Sequence, residues 1–363
     1  MIKGKKDSEQ GLILVIVLIV IAIITTLVVD LIYFTQLDIE ISNNTKEDIM
    51  SRYLAKSGVS VVSGAMAKNT LEELTNISSL SSGADENSEG LWRINIPYFP
   101  IGRGSISLNV IDERSKINLN ALLSGNSNRV DQQVLTELRE LFRLLEVDSG
   151  KSEQFIASLV NWMDKELKGS PNNQNPAGAD EGFYASLDKP YPIKDGKLDT
   201  VGEIRLIDGM DEEFFDTIKD YVTVYPKDKR VNFSTAPKVV LMAAIIAAGV
   251  SAIEGTGTEN NEVEVSDSTA KQIAEEIIEA RKDEQIIKLK IVRDIARDVD
   301  PNINISAGLV GVSLISGKSD VFYVKSIGSL GETNPTIRVV ESVIRKTSSV
   351  NSQEISIISW KEL

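Results

Sequence analysis

The stretch LILVIVLIVIAIITTLVV occupies residues 12–29 and carries no charged side chain. An α-helix of this length rises by about 27 Å, which is just enough to cross the hydrocarbon core of a bilayer. Apolar residues lie on every face of this helix, unlike the one-sided pattern of a surface helix. Lys3, Lys5 and Lys6 precede the stretch, and Asp30 follows it. The positive-inside rule therefore predicts a single-pass anchor whose amino terminus is cytoplasmic and whose remaining chain lies across the membrane.

Three interpretations of this amino terminus are open. A cleaved secretory signal has a shorter apolar core and ends at small residues, which Val28-Val29-Asp30 does not provide. An uncleaved signal anchor fits the pattern. A type III signal fits as well, because residues 1–11 form a hydrophilic leader that ends in Gly11, directly before the apolar run. In that case a peptidase cuts the bond between Gly11 and Leu12.

Composition limits the chemistry that the chain can carry. Its 363 residues contain no cysteine and no histidine, so disulfides, thiolate nucleophiles and imidazole bases are excluded. Any metal site must be built from oxygen, which favours Ca²⁺ or Mg²⁺ over zinc. The formal net charge of −14 disfavours nucleic acid as the main partner, because a polyanion needs a basic surface.

Beyond the anchor, helical and strand patterns alternate. No proline precedes Pro97, and apolar residues such as Leu37, Ile41 and Leu54 continue at helical spacing, so the helix is expected to extend past the membrane. The simplest assembly is an α+β fold in which both ends of the chain build one sheet and a helical block is inserted between its strands. Strand patterns occupy residues 91–96, 105–111, 312–315, 321–327, 336–345 and 355–360, and helical periodicity fills residues 121–299 between them.

Several ordered motifs resemble those of the K-type minor pseudopilins of type II secretion systems. Each motif alone is weak, but they follow the family's order along nearly the whole chain. They are Gly11 before the apolar run, DERSKINLN at 112–120, LVNWMD at 159–164, GADEGFY at 178–184, VGEIRLIDGM at 201–210, VNFSTAP at 231–237 and IISWKE at 357–362.

The sequence departs from the family pattern at three places. Asn161 replaces the first aspartate of the tryptophan motif, and Asp180-Glu181 inverts the usual Glu-Asp order. No basic residue stands directly before Gly11. If cleavage follows Gly11, the fifth mature residue is Ile16, and K-type proteins likewise lack the glutamate that most pilin-like subunits carry there. A subunit with nothing above it has no amino terminus to pair with this carboxylate, so its absence fits a place at the filament tip. An ordinary signal anchor also has no glutamate at this position, and only the downstream motifs favour the tip.

The resemblance implies a pilin-like long amino-terminal helix and antiparallel sheet, with a large inserted domain similar to sterile-alpha-motif or helix-hairpin-helix units. The implied function is a minor pseudopilin that nucleates or caps the pseudopilus in a bacterial inner membrane, with its carboxy-terminal domain in the periplasm. Implied partners are the I- and J-type minor pseudopilins, the major pseudopilin, prepilin peptidase, the secretion platform and the lipid bilayer. The expected segments are a leader (1–11), a transmembrane helix (12–29), a pilin-like helix and first strands (30–120), an inserted helical domain (121–300) and closing strands (301–363).

Calcium is implied by the resemblance in the region of Asp164, Asp180 and Glu181, which flank a loop rich in glycine and asparagine. Carboxylates and carbonyls are the ligands that Ca²⁺ prefers, but the spacing is too long for an EF-hand. Asp188, Asp195 and Asp199 are further candidates with no motif behind them. The alternative is that all these acids are ordinary solvated loop residues.

Two other classes of function remain alternatives. Residues 201–221 and 232–281 loosely resemble helix-hairpin-helix units, which would make the chain a membrane-anchored DNA-binding protein of an uptake pilus. The acidic charge and Asp208 in the hairpin oppose that interpretation. An enzyme is not expected, because no pattern organises the abundant carboxylates and Gly102-Arg103-Gly104 is too short for a phosphate loop.

Overall fold

A helix of 65 residues, α1 (Gly4–Lys68), dominates the computed structural model. The structure describes residues 4–68, 93–123, 129–164, 177–226, 228–251, 265–283, 287, 289–301, 303, 319–331, 334–348 and 353–363. Residues 11–44 of α1 are exposed along their whole length. From Ser51 onward, one face of the helix is buried. The helix therefore has a free first half and a second half that packs on the rest of the protein.

The second half of α1 lies on a five-stranded antiparallel sheet of order β1-β2-β5-β6-β7. β1 and β2 form the predicted hairpin, and the other three strands come from the end of the chain. Alternate residues of the strands, such as Ile94, Leu108 and Val324, are buried against α1. The strands are β1 (Arg93–Ile101), β2 (Gly104–Asp112), β5 (Val321–Leu330), β6 (Thr336–Ser348) and β7 (Gln353–Glu362).

The helical block lies between β2 and β5 in the chain and has its own core. It also contains a short parallel pair, β3 (Ile117–Asn118) and β4 (Val222–Thr223). The apolar helix α6 packs against α2 and α7, which explains why its residues are buried on nearly all faces. The helices are α2 (Gln132–Leu144), α3 (Ser149–Met163), α4 (Glu181–Ala185), α5 (Glu212–Ile218), α6 (Lys238–Ser251), α7 (Asp267–Asp283) and α8 (Leu289–Val299), with a 3₁₀ segment at Val201–Leu206.

The expected fold class is confirmed: a long helix and an antiparallel sheet carry an inserted helical block. One local expectation is wrong. The first strand does not end at Ile96 but continues to Ile101, because a bulge between Ile96 and Phe99 takes up Pro97, and Pro100 is tolerated opposite Ser105 on an edge strand. In the helical block, Asp180 caps α4 by accepting a hydrogen bond from the Phe183 amide at 2.9 Å. The expected strand at 312–315 lies outside the described residues.

Glu137 of α2 is a buried carboxyl group in the insert, 1% exposed, and its Oε2 atom has no hydrogen-bond partner. Burial raises the pKa of Glu137 from 4.5 to about 8, although the nearby Lys229 opposes the shift. The folded state therefore holds this proton above pH 4.5, where the unfolded state releases it. The stability that this proton contributes is complete below that pH and is lost as the pH rises towards about 8.

We expect Glu137→Gln to remove this pH dependence. Between pH 5 and pH 8, the free energy of unfolding of the unmodified chain should fall by up to about 1.4 kcal/mol per pH unit relative to the variant. Urea unfolding of both chains in the same detergent at several pH values measures the difference. Parallel pH profiles would show that Glu137 is already ionised at pH 5.

Candidate functional site: the anchor helix, its β1 flank and the acidic loop

The free half of α1 meets the physical requirements of a membrane anchor. Its apolar window has a mean hydropathy of 3.5, and none of that window is buried. Side chains such as Leu12 and Leu27 are each 62% exposed, which in water would be a large unfavourable apolar surface. A bilayer removes this cost because its interior is apolar, and a helix can enter it because its backbone hydrogen bonds are satisfied internally. This single amino-terminal helix fits a single-pass anchor.

The expected cleavage site lies at the start of this exposed helix. A Cβ atom added at Gly11 would meet no other atom within 4 Å, and Leu12 is 62% exposed. No other part of the described chain therefore covers Gly11 or Leu12, and both lie within the helix. Cleavage itself stays a prediction.

Exposed apolar side chains also line one flank of the soluble half of α1. Phe99 pairs with Ile106, whose side chain is buried under α1, so Phe99 points to the same face of the sheet. Ile101 pairs with Gly104, where an added Cβ would lie 2.6 Å from Leu54 Cδ1. The β1 flank consists of Met50, Leu54 and Val61 on α1 and Phe99 and Ile101 on β1. All of these except the half-buried Leu54 are at least 39% exposed.

The three acids of the expected calcium region are held near the end of α3. Asp164 ends this helix, donating its amide to the Val160 carbonyl at 2.9 Å, and its side chain is 3% exposed. The segment after the loop returns to the same helix, where Asn161 Nδ2 donates to the Ala179 carbonyl at 3.2 Å. Asp180 and Glu181 follow at the start of α4 and are exposed.

These residues fit a hard cation only as part of a ligand set. Their donors are oxygens, and the buried carboxylate of Asp164 is the kind of group that a cation stabilises. However, Asp180 Oδ1 already accepts the Phe183 amide. Within the described ranges, no group of three or more acidic side chains is placed to hold a metal ion. Residues 165–176, between Asp164 and Asp180, are outside those ranges.

The three further acids do not join this region. Asp188 is exposed, and Asp195 adopts a left-handed conformation with φ of 51°. Asp199 accepts a hydrogen bond from Lys194 Nζ at 2.8 Å. The same lysine bonds Glu203 Oε2 at 2.6 Å, and Glu203 Oε1 accepts from Trp162 Nε1 at 3.0 Å. Asp199 thus belongs to a network that braces the tryptophan motif.

The hairpin that resembles a DNA-binding unit packs inward. Gly209 has φ of 88°, and an added Cβ would lie 2.6 Å from the Phe155 backbone nitrogen of α3. Asp208 accepts a hydrogen bond from Gln154 at 2.6 Å, and Asp211 caps α5. A phosphate would meet these carboxylates and a backbone that is already packed, so the geometry opposes binding of DNA here.

Comparison of this chain with known protein families tests the resemblance to the K-type pseudopilins. Residues 115–227, which run from the DERSKINLN motif through the tryptophan motif to the hairpin region, match the family model for protein K of the type II secretion system. The resemblance to the K-type family is confirmed. The matched range is called the K domain below.

Curated relatives agree with this match and extend beyond the K domain. Type II secretion system protein K of Pectobacterium carotovorum is 28% identical over 142 residues, which cover 38% of this chain and 42% of that protein. The Aeromonas hydrophila protein K is 22% identical over 235 residues, covering 62% and 67%. The Pseudomonas aeruginosa protein K is 23% identical and covers 66% and 68%. The match to the Pectobacterium protein thus spans less than half of its length.

A solved structure shares the fold. It comes from the GspK-GspI-GspJ complex of the enterotoxigenic Escherichia coli type 2 secretion system, with a TM-score of 0.56 and 18% identity. The similarity covers 88% of this chain and 98% of that one. The arrangement of a long helix, an antiparallel sheet and a helical block is therefore a fold that this solved structure shares.

The structure also identifies groups that sequence patterns did not single out. Phe99 and Ile101 lie beyond the strand pattern at 91–96, and the β-bulge between Ile96 and Phe99 sets the register that places Phe99 opposite Ile106. Arg114 binds Asp228 and Asp320, which are more than one hundred residues away in the chain. A wide spacing of this kind leaves no local pattern from which the contacts could have been predicted.

Proposed function

We propose that this K-type minor pseudopilin acts at the tip of the type II secretion pseudopilus, where it nucleates or caps the filament during export of folded proteins. The exposed apolar surface of α1 is the observation that supports this proposal. Its first half is an exposed apolar anchor, and its second half has one face buried on the sheet and an apolar flank in solvent. Side-by-side packing with helices of other pseudopilins would bury this flank. No chemistry of its own is required for this role, so we do not expect catalysis.

The proposed partners are other minor pseudopilins of the I and J types. The solved structure that shares this fold belongs to a GspK-GspI-GspJ complex, which supports such partners for this chain. The helical block would sit above the partners' sheets and hinder addition of further subunits. The major pseudopilin, prepilin peptidase and the inner-membrane platform are proposed on the same basis, with the domain beyond α1's anchor in the periplasm.

Co-purification tests the assembly. The full chain is expressed with the I- and J-type pseudopilins of the same secretion system and purified in mild detergent by a tag on this chain. We expect a stoichiometric ternary complex. A chain that elutes alone at micromolar concentrations of both partners would contradict the proposal.

We also propose a calcium ion bound by Asp164, Asp180 and Glu181. The carboxyl oxygens of Asp164, Asp180 and Glu181 are of the kind that Ca²⁺ prefers, and the sequence between Asp164 and Asp180 has few apolar residues that could pack instead. The resemblance to K-type proteins and the oxygen-only donor set support this proposal.

Removal of calcium is therefore expected to lower the melting temperature. At free calcium 100 times the dissociation constant, binding stabilises the folded state by about 2.7 kcal/mol, which corresponds to a shift of several degrees. Melting curves of the full chain in detergent with calcium, and with a chelator, measure the shift. Asp164→Asn should abolish it, whereas Asp188→Asn is the matched control. Equal melting temperatures in both conditions, together with no calcium detected by elemental analysis, would contradict the proposed calcium site.

A further inference from the structure

The DERSKINLN segment is a buried polar junction between the sheet and the helical block. It begins at the last residue of β2, where the chain leaves the sheet, and ends at Asn120 inside the block. Asp112, Glu113 and Arg114 are each at most 5% exposed, although all three are charged residue types. So many charged groups are buried only when their partners satisfy them. Those partners come from distant parts of the chain.

Asp112 joins three segments through its side chain. It accepts hydrogen bonds from the Arg114 amide at 2.8 Å, from Asn232 Nδ2 at 2.9 Å and from Thr235 Oγ1 at 2.6 Å. Ser319, just before β5, donates to the same carboxylate. Asp112 therefore connects the strand that leaves the sheet, the strand that returns to it and the helical block.

Arg114 makes a second connection of the same kind. Its Nη1 donates to Asp228 Oδ1 of the helical block at 2.7 Å, and its Nε and Nη2 both bond Asp320 beside β5. Burial alone would lower the pKa of Arg114, but the hydrogen bonds to Asp320 and Asp228 raise it above its usual value. Without the guanidinium, Asp228 and Asp320 would lose the counter-charge that they share, and Asp228 would keep only its ion pair with Arg230.

Asparagines and a buried ion pair complete the junction inside the block. Asn118 Nδ2 donates to the carbonyls of Pro226 and Asp228 at 2.9 and 2.8 Å. Asn120 makes three bonds to the backbone of Leu198 and Val224. Lys116 Nζ lies 3.0 Å from Glu113 Oε1, and Thr223 of β4 donates to the other oxygen of Glu113. The segment is thus fixed along its whole length.

We propose that residues 112–120 form a rigid interlock that holds the helical block in one orientation relative to α1 and the sheet. The contacts are directional and come from three separate segments, so a rotation of the block would break several buried hydrogen bonds at once. Because α1 is the membrane anchor, the interlock fixes the direction in which the block faces away from the bilayer. This property belongs to the isolated chain and does not depend on the proposed place at a filament tip.

Distance measurements between spin labels test the interlock in the full chain in detergent. The chain has no cysteine, so each introduced cysteine is a unique labelling site. One doubly labelled chain carries Ser60→Cys on α1 and Lys189→Cys in the block, and a second carries Lys189→Cys and Lys271→Cys; all three positions are exposed. The 60–189 distance reports on the junction, and the 189–271 distance reports on the block alone. In the otherwise unmodified chain, we expect both distributions to be equally narrow.

Arg114→Gln should broaden the 60–189 distribution about twofold and leave the 189–271 distribution unchanged, as expected of a released hinge. Arg139→Gln is the matched control. Arg139 donates two hydrogen bonds to the Glu153 carboxylate, and this ion pair joins α2 to α3 within the block and away from the junction. It should change neither distance. If Arg114→Gln does not fold, Asp320→Asn removes only one arm of the contact and should give a smaller broadening of the 60–189 distance.

Three results would overturn the proposal. The first is a 60–189 distribution that is already broad in the presence of Arg114. The second is an unchanged width in the folded Arg114 or Asp320 variant. The third is equal broadening within the block, because Arg114 would then hold the block's own fold instead of its orientation.

Discussion

Gly328→Ala is expected to lower the free energy of unfolding by about 3 kcal/mol, at the upper end for an overpacked core. Gly328 lies in β5 directly beneath α1, and an added Cβ would lie 2.1 Å from the Ser51 carbonyl oxygen and 2.5 Å from the Ala55 nitrogen. Both contacts are backbone atoms of the helix, so no side-chain rotation can relieve them. The helix must move away from the sheet, which exposes the core that they share.

The same substitution at Gly64 is the matched control. Gly64 lies in α1, where an added Cβ meets nothing within 4 Å. Since alanine favours a helix over glycine by about 1 kcal/mol, Gly64→Ala should stabilise the protein slightly. Urea unfolding of both variants in mild detergent, followed by circular dichroism, gives the two free energies. If Gly328→Ala is as stable as the unmodified chain, the close packing of α1 on β5 is wrong.

If the proposed I- and J-type proteins are partners of this chain, Phe99→Glu is expected to weaken assembly with them at least 100-fold, or about 2.7 kcal/mol. Phe99 is 47% exposed on the β1 flank, so the free chain should tolerate a charge there. In a complex that buries the β1 flank against a partner helix, the same charge would be desolvated without a counter-ion. The loss should therefore appear in binding and not in folding.

Leu206→Glu is the matched control for this prediction. Leu206 is 48% exposed, similar to Phe99, but it lies on the helical block away from α1. Its variant should bind the partners as the unmodified chain does. Titration of each purified variant with the partner pair gives the affinities, and melting curves confirm that both variants are folded. Equal binding by all three chains would show that the β1 flank is not the contact surface.

The elements that composition and periodicity control could be predicted from the sequence. An anchor could be predicted from residues 12–29, because a run of 18 apolar or uncharged residues is long enough to cross a bilayer, and the structure leaves this part of α1 exposed. The strands and the helical block follow from the change between alternating and helical spacing. The core of α1 on the sheet is different, because it depends on Gly58 and Gly328, whose close backbone approach is visible only in three dimensions.

The polar sites were harder to predict because their partners are far apart in the chain. The DERSKINLN motif could be recognised, but its role depends on Asp228, Asn232 and Asp320, which no local pattern links to it. The calcium region is a similar case. Asp164 and Asp180 are placed by contacts between α3 and the returning segment, and the acids at 188, 195 and 199 remain apart from them. The charge of these five aspartates could not show from the sequence which of them lie near each other in the fold.

Mass spectrometry of the mature amino terminus tests the central claim most directly. The chain is expressed at native level in a cell with an active type II secretion system, and the intact protein is isolated from the membrane fraction. If it is a pseudopilin, its first residue should be Leu12, and Gly11→Phe should leave the leader attached because a bulky side chain replaces the glycine at the cleavage site. A protein from the secreting cell that still begins with Met1 would contradict the account and leave an ordinary signal anchor.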